Sequence, residues 1–272
     1  MSEVLKKSFA PEIKMIQELA FANCGLDLRN GKEELVTARV GKVMRKQHIA
    51  TLREYYNYVV ADHSGAALAE MIDALTTNYT GFFRENAHFD FLRSVILPAS
   101  EKCKIRLWSA ACSTGEEPYS IAFCLHDSGR ENNSAEVIAT DISQSVLRTA
   151  SAGIYAGDDL KAIPFDSRRQ YFLAGVGSNT GWFKVKPEIR RMVHFAPQNL
   201  LEPLVIAGVF DVIFCRNVMI YFNKQTQAKV VLSLEGKLKP GGYLIIGHSE
   251  TLNGVSHNLQ YVRPSVYRSV AS

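Results

Sequence analysis

A change of hydrophobic period near residue 105 constrains the fold of this 272-residue chain more than any other feature. Before it, apolar residues recur at helical spacing: Ile13, Ile16, Leu19 and Ala20, then Val36, Val40, Val43 and Met44, then Leu52, Tyr55, Tyr56 and Val59. Gly25, within the polar stretch 23–30, separates the first two helices, and 66–75 reads as a fourth. After residue 105, short apolar runs alternate with helical segments. Residues 105–110, 136–141, 210–215 and 243–247 read as strands. Residues 118–125, 143–152 and 225–238 read as helices, the last stopped by Pro240-Gly241-Gly242. Such alternation specifies an α/β fold, a mostly parallel sheet covered on both faces with ligands at the carboxyl ends of its strands. Residues 175–193 break the pattern: Trp182-Phe183-Lys184-Val185-Lys186 alternates like an exposed strand and predicts a small antiparallel excursion.

Composition removes several function classes. Hydrophobic residues make up 47% and charged residues 21%, ordinary for a globular protein. The longest apolar runs are far too short to span a bilayer. Met-Ser-Glu-Val-Leu-Lys-Lys lacks the apolar core of a signal peptide, so a cytoplasmic location without membrane insertion is expected. Five cysteines, an odd number without a Cys-x-x-Cys pair, argue against a disulfide framework or a zinc site, and no metal is expected. A net charge of +4 is too mild to imply nucleic acid.

Four stretches carry polar side chains to strand ends. Ser109-Ala110-Ala111-Cys112-Ser113-Thr114-Gly115-Glu116-Glu117 joins a strand to a helix through small residues. It is either a ligand loop suited to an ammonium group or ribose hydroxyls, or a tight turn whose glutamates favour the helix N-terminus. Asp141 ends the next strand 26 residues after Gly115. It reads equally as an acceptor for ribose hydroxyls or as a helix cap. Arg216 and Asn217 follow a buried strand and are expected at the cleft mouth, though a surface ion pair also suits Arg216 and core packing suits Tyr221. Thr76-Thr77-Asn78-Tyr79-Thr80-Gly81-Phe82-Phe83-Arg84-Glu85 is either a carboxylate-binding site built on Arg84 or an aromatic hinge.

Taken in order, these stretches, with Ala-Thr-Asp-Ile, Ala196-Pro197-Gln198-Asn199-Leu200-Leu201 and Gly247-His248-Ser249-Glu250, resemble the CheR family of chemotaxis receptor methyltransferases over nearly the whole chain. The resemblance implies an all-α domain at 1–76 and a Rossmann-like class I methyltransferase domain at 77–272, with an antiparallel subdomain at about 176–195. It implies S-adenosyl-L-methionine as cofactor, S-adenosyl-L-homocysteine as product, and glutamate carboxylates of chemoreceptor methylation helices as substrate. Asn78, Thr80 and Arg84 would meet the methionyl end, Arg84 on its carboxylate. Glu116, or Glu117 beside it, would also contact the cofactor. Asp141 would hold the ribose, Asn199 and Leu200 would flank the adenine, and Arg216 and Asn217 would close the site near the methyl. Tyr221 would orient the incoming carboxylate. Some members dock a receptor's C-terminal peptide on the antiparallel subdomain, but no matching peptide-binding pattern is legible here.

Residues 36–53 add Arg39, Lys42, Arg45, Lys46 and Arg53 with no acidic residue. Arg39, Lys42 and Lys46 share a helix face opposite Val36, Val40 and Val43. On its own this is a solvated face; with the resemblance, Arg39, Lys42, Arg45 and Lys46 would steer acidic receptor helices. A glutamate carboxylate, with an ordinary pKa of about 4.3, is ionised at neutral pH and needs no strong base. Alignment and exclusion of water are then the enzyme's work. The rival readings are methyl transfer to RNA or a small molecule, and a cofactor-binding sensor without catalysis.

Overall fold

The computed structural model describes residues 10–29, 31–100, 103–131 and 134–270. The N-terminal heptapeptide read above lies outside them. Two compact units result: residues 1–77 with 221–226, and residues 78–220 with 227–272.

The first unit is helical. Helix α1 (Ala10–Cys24) buries Ile13, Ile16 and Ala20, and Gly25, at φ 72°, ends it. Helix α2 (Glu33–Lys46) buries Val36, Val40 and Val43. Its first turn carries Glu33 and Glu34 and its last Arg45 and Lys46, both signs matched to the helix dipole. Helix α3 (Leu52–Ala61) starts at a capping box, in which Thr51 Oγ1 accepts from the Glu54 N–H at 3.2 Å and Glu54 Oε2 accepts from the Thr51 N–H at 3.1 Å. Helix α4 (Ala66–Leu75) buries Ala67, Met71, Ile72 and Leu75.

The second unit opens with α5 (Ala87–Phe91), extended by a π turn (Leu92–Ile96) and a last α turn (Leu97–Ala99). Its main sheet holds seven strands. In chain order these are β1 (Ile105–Ala110), β2 (Ala135–Asp141), β6 (Val193–Pro197), β7 (Phe210–Cys215), β8 (Leu238–Ile246), β9 (Gln260–Arg263) and β10 (Val266–Arg268), arranged 6-2-1-7-8-10-9. Strands 6, 2, 1, 7 and 8 are parallel, while β10 runs antiparallel to both β8 and β9. Helix α6 (Glu116–Asp127) follows β1, and α7 (Gln144–Ala152) follows β2. The chain leaves β1 towards β2 on one side and places β7 on the other. The crevice at the carboxyl ends of β1 and β7 is therefore the topological switch point. Phe82, Phe89, Phe123, Phe214, Leu107 and Ile121 pack the core around β1, and the buried Trp108 indole N–H donates to Thr140 Oγ1 at 2.9 Å.

The antiparallel excursion is a separate sheet of β3 (Ile154–Ala156), β4 (Phe172–Ala174) and β5 (Trp182–Val185), in order 3-5-4. It draws two strands from before residue 176. Residues 193–197 instead form the edge of the main sheet against β2. Three-residue strands leave too short an alternation to read in sequence. Pro240-Gly241-Gly242 also differs from expectation, because it lies inside β8. Gly241 adopts φ 76°, and a Cβ on Gly242 would lie 3.1 Å from both the Phe210 and Asp211 carbonyl oxygens, so a side chain there would crowd the β7 backbone.

Candidate functional site

Nine of the ten cofactor and catalytic candidates fall in the second unit. These are Asn78, Thr80, Arg84, Glu116, Asp141, Asn199, Leu200, Arg216 and Asn217. Tyr221 does not. It belongs to the 221–226 segment of the helical unit, and its carbonyl accepts the Asp27 N–H at 2.8 Å.

The loop after β1 is tightly built. Ala111, Ser113 and Gly115 all take positive φ, at 67°, 50° and 98°. A side chain is strained in that region, so the surroundings must hold it there. The Cys112 N–H donates to the Thr140 carbonyl at 2.8 Å, and the Ser113 N–H to Asp141 Oδ2 at 2.8 Å. Ser113 Oγ donates to the Asn78 carbonyl at 3.0 Å, which brings the 78–85 segment to the same strand ends. A Cβ on Gly115 would lie 2.8 Å from Ala150 Cβ and 2.8 Å from Tyr155 Oη. The glycine is thus required by packing inside the protein, whether or not a ligand approaches the loop.

Asp141 is buried. Its Oδ1 accepts the Ser143 N–H at 3.0 Å, while Ser143 Oγ caps α7 by accepting from the Val146 N–H at 3.3 Å. The serine, and not the aspartate, is therefore the helix cap. Gln198 links the end of β6 to this strand end, its N–H donating to the Asp141 carbonyl at 3.0 Å. Asn199 Oδ1 accepts the Leu201 N–H at 3.1 Å, and Leu200 is buried beside it.

The two glutamates of the loop have different surroundings. Glu117 accepts Ser109 Oγ at 2.7 Å and Arg216 Nη1 at 2.8 Å. Glu116 accepts Thr114 Oγ1 at 2.7 Å and has no bond to Arg216 among the described residues. Burial pushes the Glu116 carboxyl up, against the Thr114 hydrogen bond.

Arg216 is turned inwards, its side chain 2% exposed, and so does not stand at a cleft mouth. Besides Glu117 it meets Glu85 Oε2 at 3.0 Å and the Arg84 carbonyl. Burial raises the Glu85 carboxyl, but the Asn217 amide, the Arg216 charge and the His248 N–H together hold it below the ordinary value. Two carboxylates share one guanidinium in the interior, so the ion pair is a buried one and not the surface pair expected. Arg84 differs. It is half-buried, its Nη1 donates to the Tyr79 carbonyl at 2.7 Å, and its guanidinium lies 5.2 Å from the Tyr79 ring centre. Phe82 and Phe83 anchor the segment: Phe82 packs on Phe123, Tyr155 and Phe172, and the Phe83 N–H donates to Ser120 Oγ at 2.9 Å. Asn78 and Thr80 are half-buried beside them.

Two carboxylates quoted in the motifs received no role from the sequence. Glu85 closes the Phe-Phe-Arg-Glu run and Glu250 closes Gly-His-Ser-Glu. Glu250 accepts the N–H groups of Gly247 at 2.6 Å, Asn217 at 2.9 Å and Met219 at 2.8 Å. Burial raises its carboxyl, and these backbone donors oppose the rise. Their position at motif ends was the available signal. Glu85, His88 and His248 also bring metal-ligating atoms within 4.8 Å of one another. Both Glu85 oxygens are engaged, however, and the Arg216 guanidinium 3.0 Å away opposes a cation.

In the helical unit the basic residues are not equivalent. Arg39 is half-buried and donates to the Leu75 carbonyl at 2.5 Å, the Thr76 carbonyl at 3.0 Å and Thr77 Oγ1 at 2.7 Å. It caps the carboxyl end of α4, so its charge is not a free surface charge. Lys46 pairs with Glu70 at 2.7 Å. Lys42 and Arg45 are exposed. No helix among the described residues is long and apolar enough to cross a membrane.

A parallel sheet with a switch point at β1 and β7, an acidic residue ending β2 and an antiparallel β8–β10 margin define a Rossmann-like methyltransferase fold. The family models "CheR methyltransferase, SAM binding domain" and "CheR methyltransferase, all-alpha domain" match residues 78–267 and 11–76. The chain belongs to the CheR methyltransferase family, with S-adenosyl-L-methionine as its cofactor. A chemotaxis protein methyltransferase of Borreliella burgdorferi is 38% identical, the match covering 94% of this chain and 93% of that protein. One of Klebsiella aerogenes is 40% identical, covering 93% and 88%. Among solved structures, the glycopeptide N-methyltransferase MtfA with S-adenosyl-L-methionine covers 71% of this chain and 68% of its own at 13% identity and a TM-score of 0.39. A similarity that low leaves the fold resting on the strand order and the family models.

Proposed function

We propose that this chain transfers a methyl group from S-adenosyl-L-methionine to glutamate side chains of cytoplasmic chemoreceptor helices, forming methyl esters. The observation that carries the proposal is the gathering of Arg84, Glu116 and Asp141 on loops tied together at the strand ends. Their chemistry matches a carboxylate, an ammonium group and a ribose. Glu116 is the better choice of the two glutamates, because Glu117 is committed to Arg216 and Ser109. Asn78 and Thr80 complete the methionyl end, and Asn199 and Leu200 flank the adenine. Asn217, fixed beside the buried Arg216, borders the acceptor side.

When bound, the cofactor supplies a methyl on a positively charged sulfur that leaves as a neutral thioether. The acceptor carboxylate is already ionised at neutral pH. The chain's own task is to hold that carboxylate in line with the methyl and keep water away from it. Lys42 and Arg45 steer the acidic receptor helices, with Arg39 and Lys46 behind them as ordered parts of the same face. The small sheet, with Leu173 and Trp182 each 50% exposed, is the dock for a receptor C-terminal peptide where one exists.

The test is incubation with methyl-labelled cofactor and a receptor fragment, followed by alkali. Release of labelled methanol is expected, since a carboxyl methyl ester hydrolyses. Label that survives alkali would mean N- or C-methylation and overturn the proposal.

A further inference from the structure

We infer that Glu85 is a positioning residue for methyl transfer, locking the loops that follow β7 and β8 onto the segment that carries Arg84. The inference rests on the methyl-ester reading above and extends it to a residue with no role there.

The Glu85 carboxylate joins three stretches of chain. Its Oε1 accepts Asn217 Nδ2 at 3.1 Å. Its Oε2 accepts Arg216 Nη2 at 3.0 Å and the His248 N–H at 3.1 Å. Through Arg216 it is linked to Glu117 in the first turn of α6. With both oxygens engaged, Glu85 holds protein and does not reach for a ligand.

The backbone around it is held under strain. Phe83, Glu85 and Asn217 take φ of 52°, 58° and 59°, a region that asparagine tolerates but phenylalanine and glutamate rarely adopt. Conformations of this kind persist only when their surroundings over-determine them. Two carboxylates do so for Asn217: Glu250 grips its N–H and Glu85 its side-chain amide. A Cβ on Gly247 would lie 2.9 Å from Glu250 Oε2 and 3.0 Å from the Asn217 nitrogen, so the β7 and β8 loops are closely apposed.

The division of labour follows. Glu250, on the loop after β8, ties that loop and the one after β7 into a single acceptor-side piece. Glu85 fixes where that piece stands relative to residue 84. Without Glu85 the piece keeps its form and loses its registration, and methyl transfer suffers because a displacement of about 1 Å costs on the order of a hundredfold in rate. Cofactor affinity changes far less than kcat, since Glu116 and Asp141 stand outside these contacts and the Arg84 side chain keeps its own hydrogen bond to the Tyr79 carbonyl.

The experiment uses the full chain as wild type, Glu85→Gln and Glu85→Ala. It measures calorimetric affinity for S-adenosyl-L-homocysteine, thermal midpoint, and kcat and KM for base-labile methylation of a receptor fragment. For Glu85→Ala, kcat should fall on the order of a hundredfold, and for Glu85→Gln about tenfold, with product affinity within about threefold of wild type. The inference is overturned if kcat stays within about threefold of wild type, or if product affinity falls in proportion to kcat. If Glu85→Ala does not fold, Glu85→Gln, which keeps size and one acceptor oxygen, decides by the same criteria. Wild type run alongside separates the two claims. No base-labile transfer by wild type refutes the methyl-ester reading, whereas equal transfer by wild type and variants refutes only the role of Glu85.

Discussion

Arg216 meets Glu117 at 2.8 Å and Lys46 meets Glu70 at 2.7 Å, yet the two contacts do different work. The Arg216 side chain is 2% exposed and the Lys46 side chain 71%. Around Arg216 water is excluded, two carboxylates and a carbonyl share one guanidinium, and each partner would be stranded without the others. Around Lys46 water replaces either partner at little cost. Charge in the α/β unit therefore holds loops in place, whereas charge on the exposed part of α2 remains available to a partner. Arg39 shows that burial, not location on a basic face, draws the line: it lies on that face and caps α4 all the same.

The sharpest way to break this contrast is to delete its buried centre. Arg216→Met should destabilise the folded chain by about 3–5 kcal/mol, because Glu85 and Glu117 would be left buried without their counter-charge. Urea unfolding monitored by circular dichroism measures it, and an unchanged midpoint would place the cluster among the surface pairs.

Arg84, half-buried at the same strand ends, should behave as a ligand group. Arg84→Ala should weaken S-adenosyl-L-homocysteine binding about ten- to a hundredfold, the loss of a charge-assisted hydrogen bond, while leaving the urea midpoint near wild type. Equal affinity in a folded variant would remove Arg84 from the cofactor site.

A smaller effect comes from His88, buried beside Arg216, with neither ring nitrogen hydrogen-bonded among the described residues. Burial, with the Arg216 and His248 charges, pushes its pKa down to about 3. Between the ordinary histidine value of about 6.5 and that lower one, the unfolded chain binds a proton that the native chain refuses. Stability is therefore lost as pH falls through this window, by at most about 1.4 kcal/mol per pH unit from this group. Urea midpoints of wild type and His88→Phe between pH 7 and 5 should diverge, with the wild type falling faster. Parallel pH profiles would show that His88 is hydrated or paired in solution.

The smallest stability effect is expected on α2. Lys42→Glu with Arg45→Glu should leave the urea midpoint and product affinity near wild type and lower receptor methylation. Exposed charges are screened over about 8 Å at physiological salt, so the wild-type advantage should shrink as salt rises. Normal methylation by the double variant at low salt would reduce this face to a solvated surface.

Much of this molecule is legible in one dimension. Strands β1 and β7 and helix α4 follow from apolar period, because side-chain direction repeats every 2.0 or 3.6 residues whatever the chain meets later. The strand-end position of Asp141 follows in the same way, since it depends only on where a strand stops. The short strands β3 and β4 were not legible, being shorter than any period can show. Nor was the path of β8 through Pro240-Gly241-Gly242, which depends on the carbonyls of β7 lying against Gly242.

What tertiary structure alone decided is which charges are satisfied and by whom. Arg216 finds Glu85 131 residues away and Glu117 99 residues away. Arg39 finds the end of α4 36 residues on. Sequence determined that an arginine would follow β7 and that a basic helix would precede the sheet. Whether each cation faces a carboxylate in the interior or water at the surface depends on desolvation and on partners brought together by folding, and neither quantity has a period in the chain.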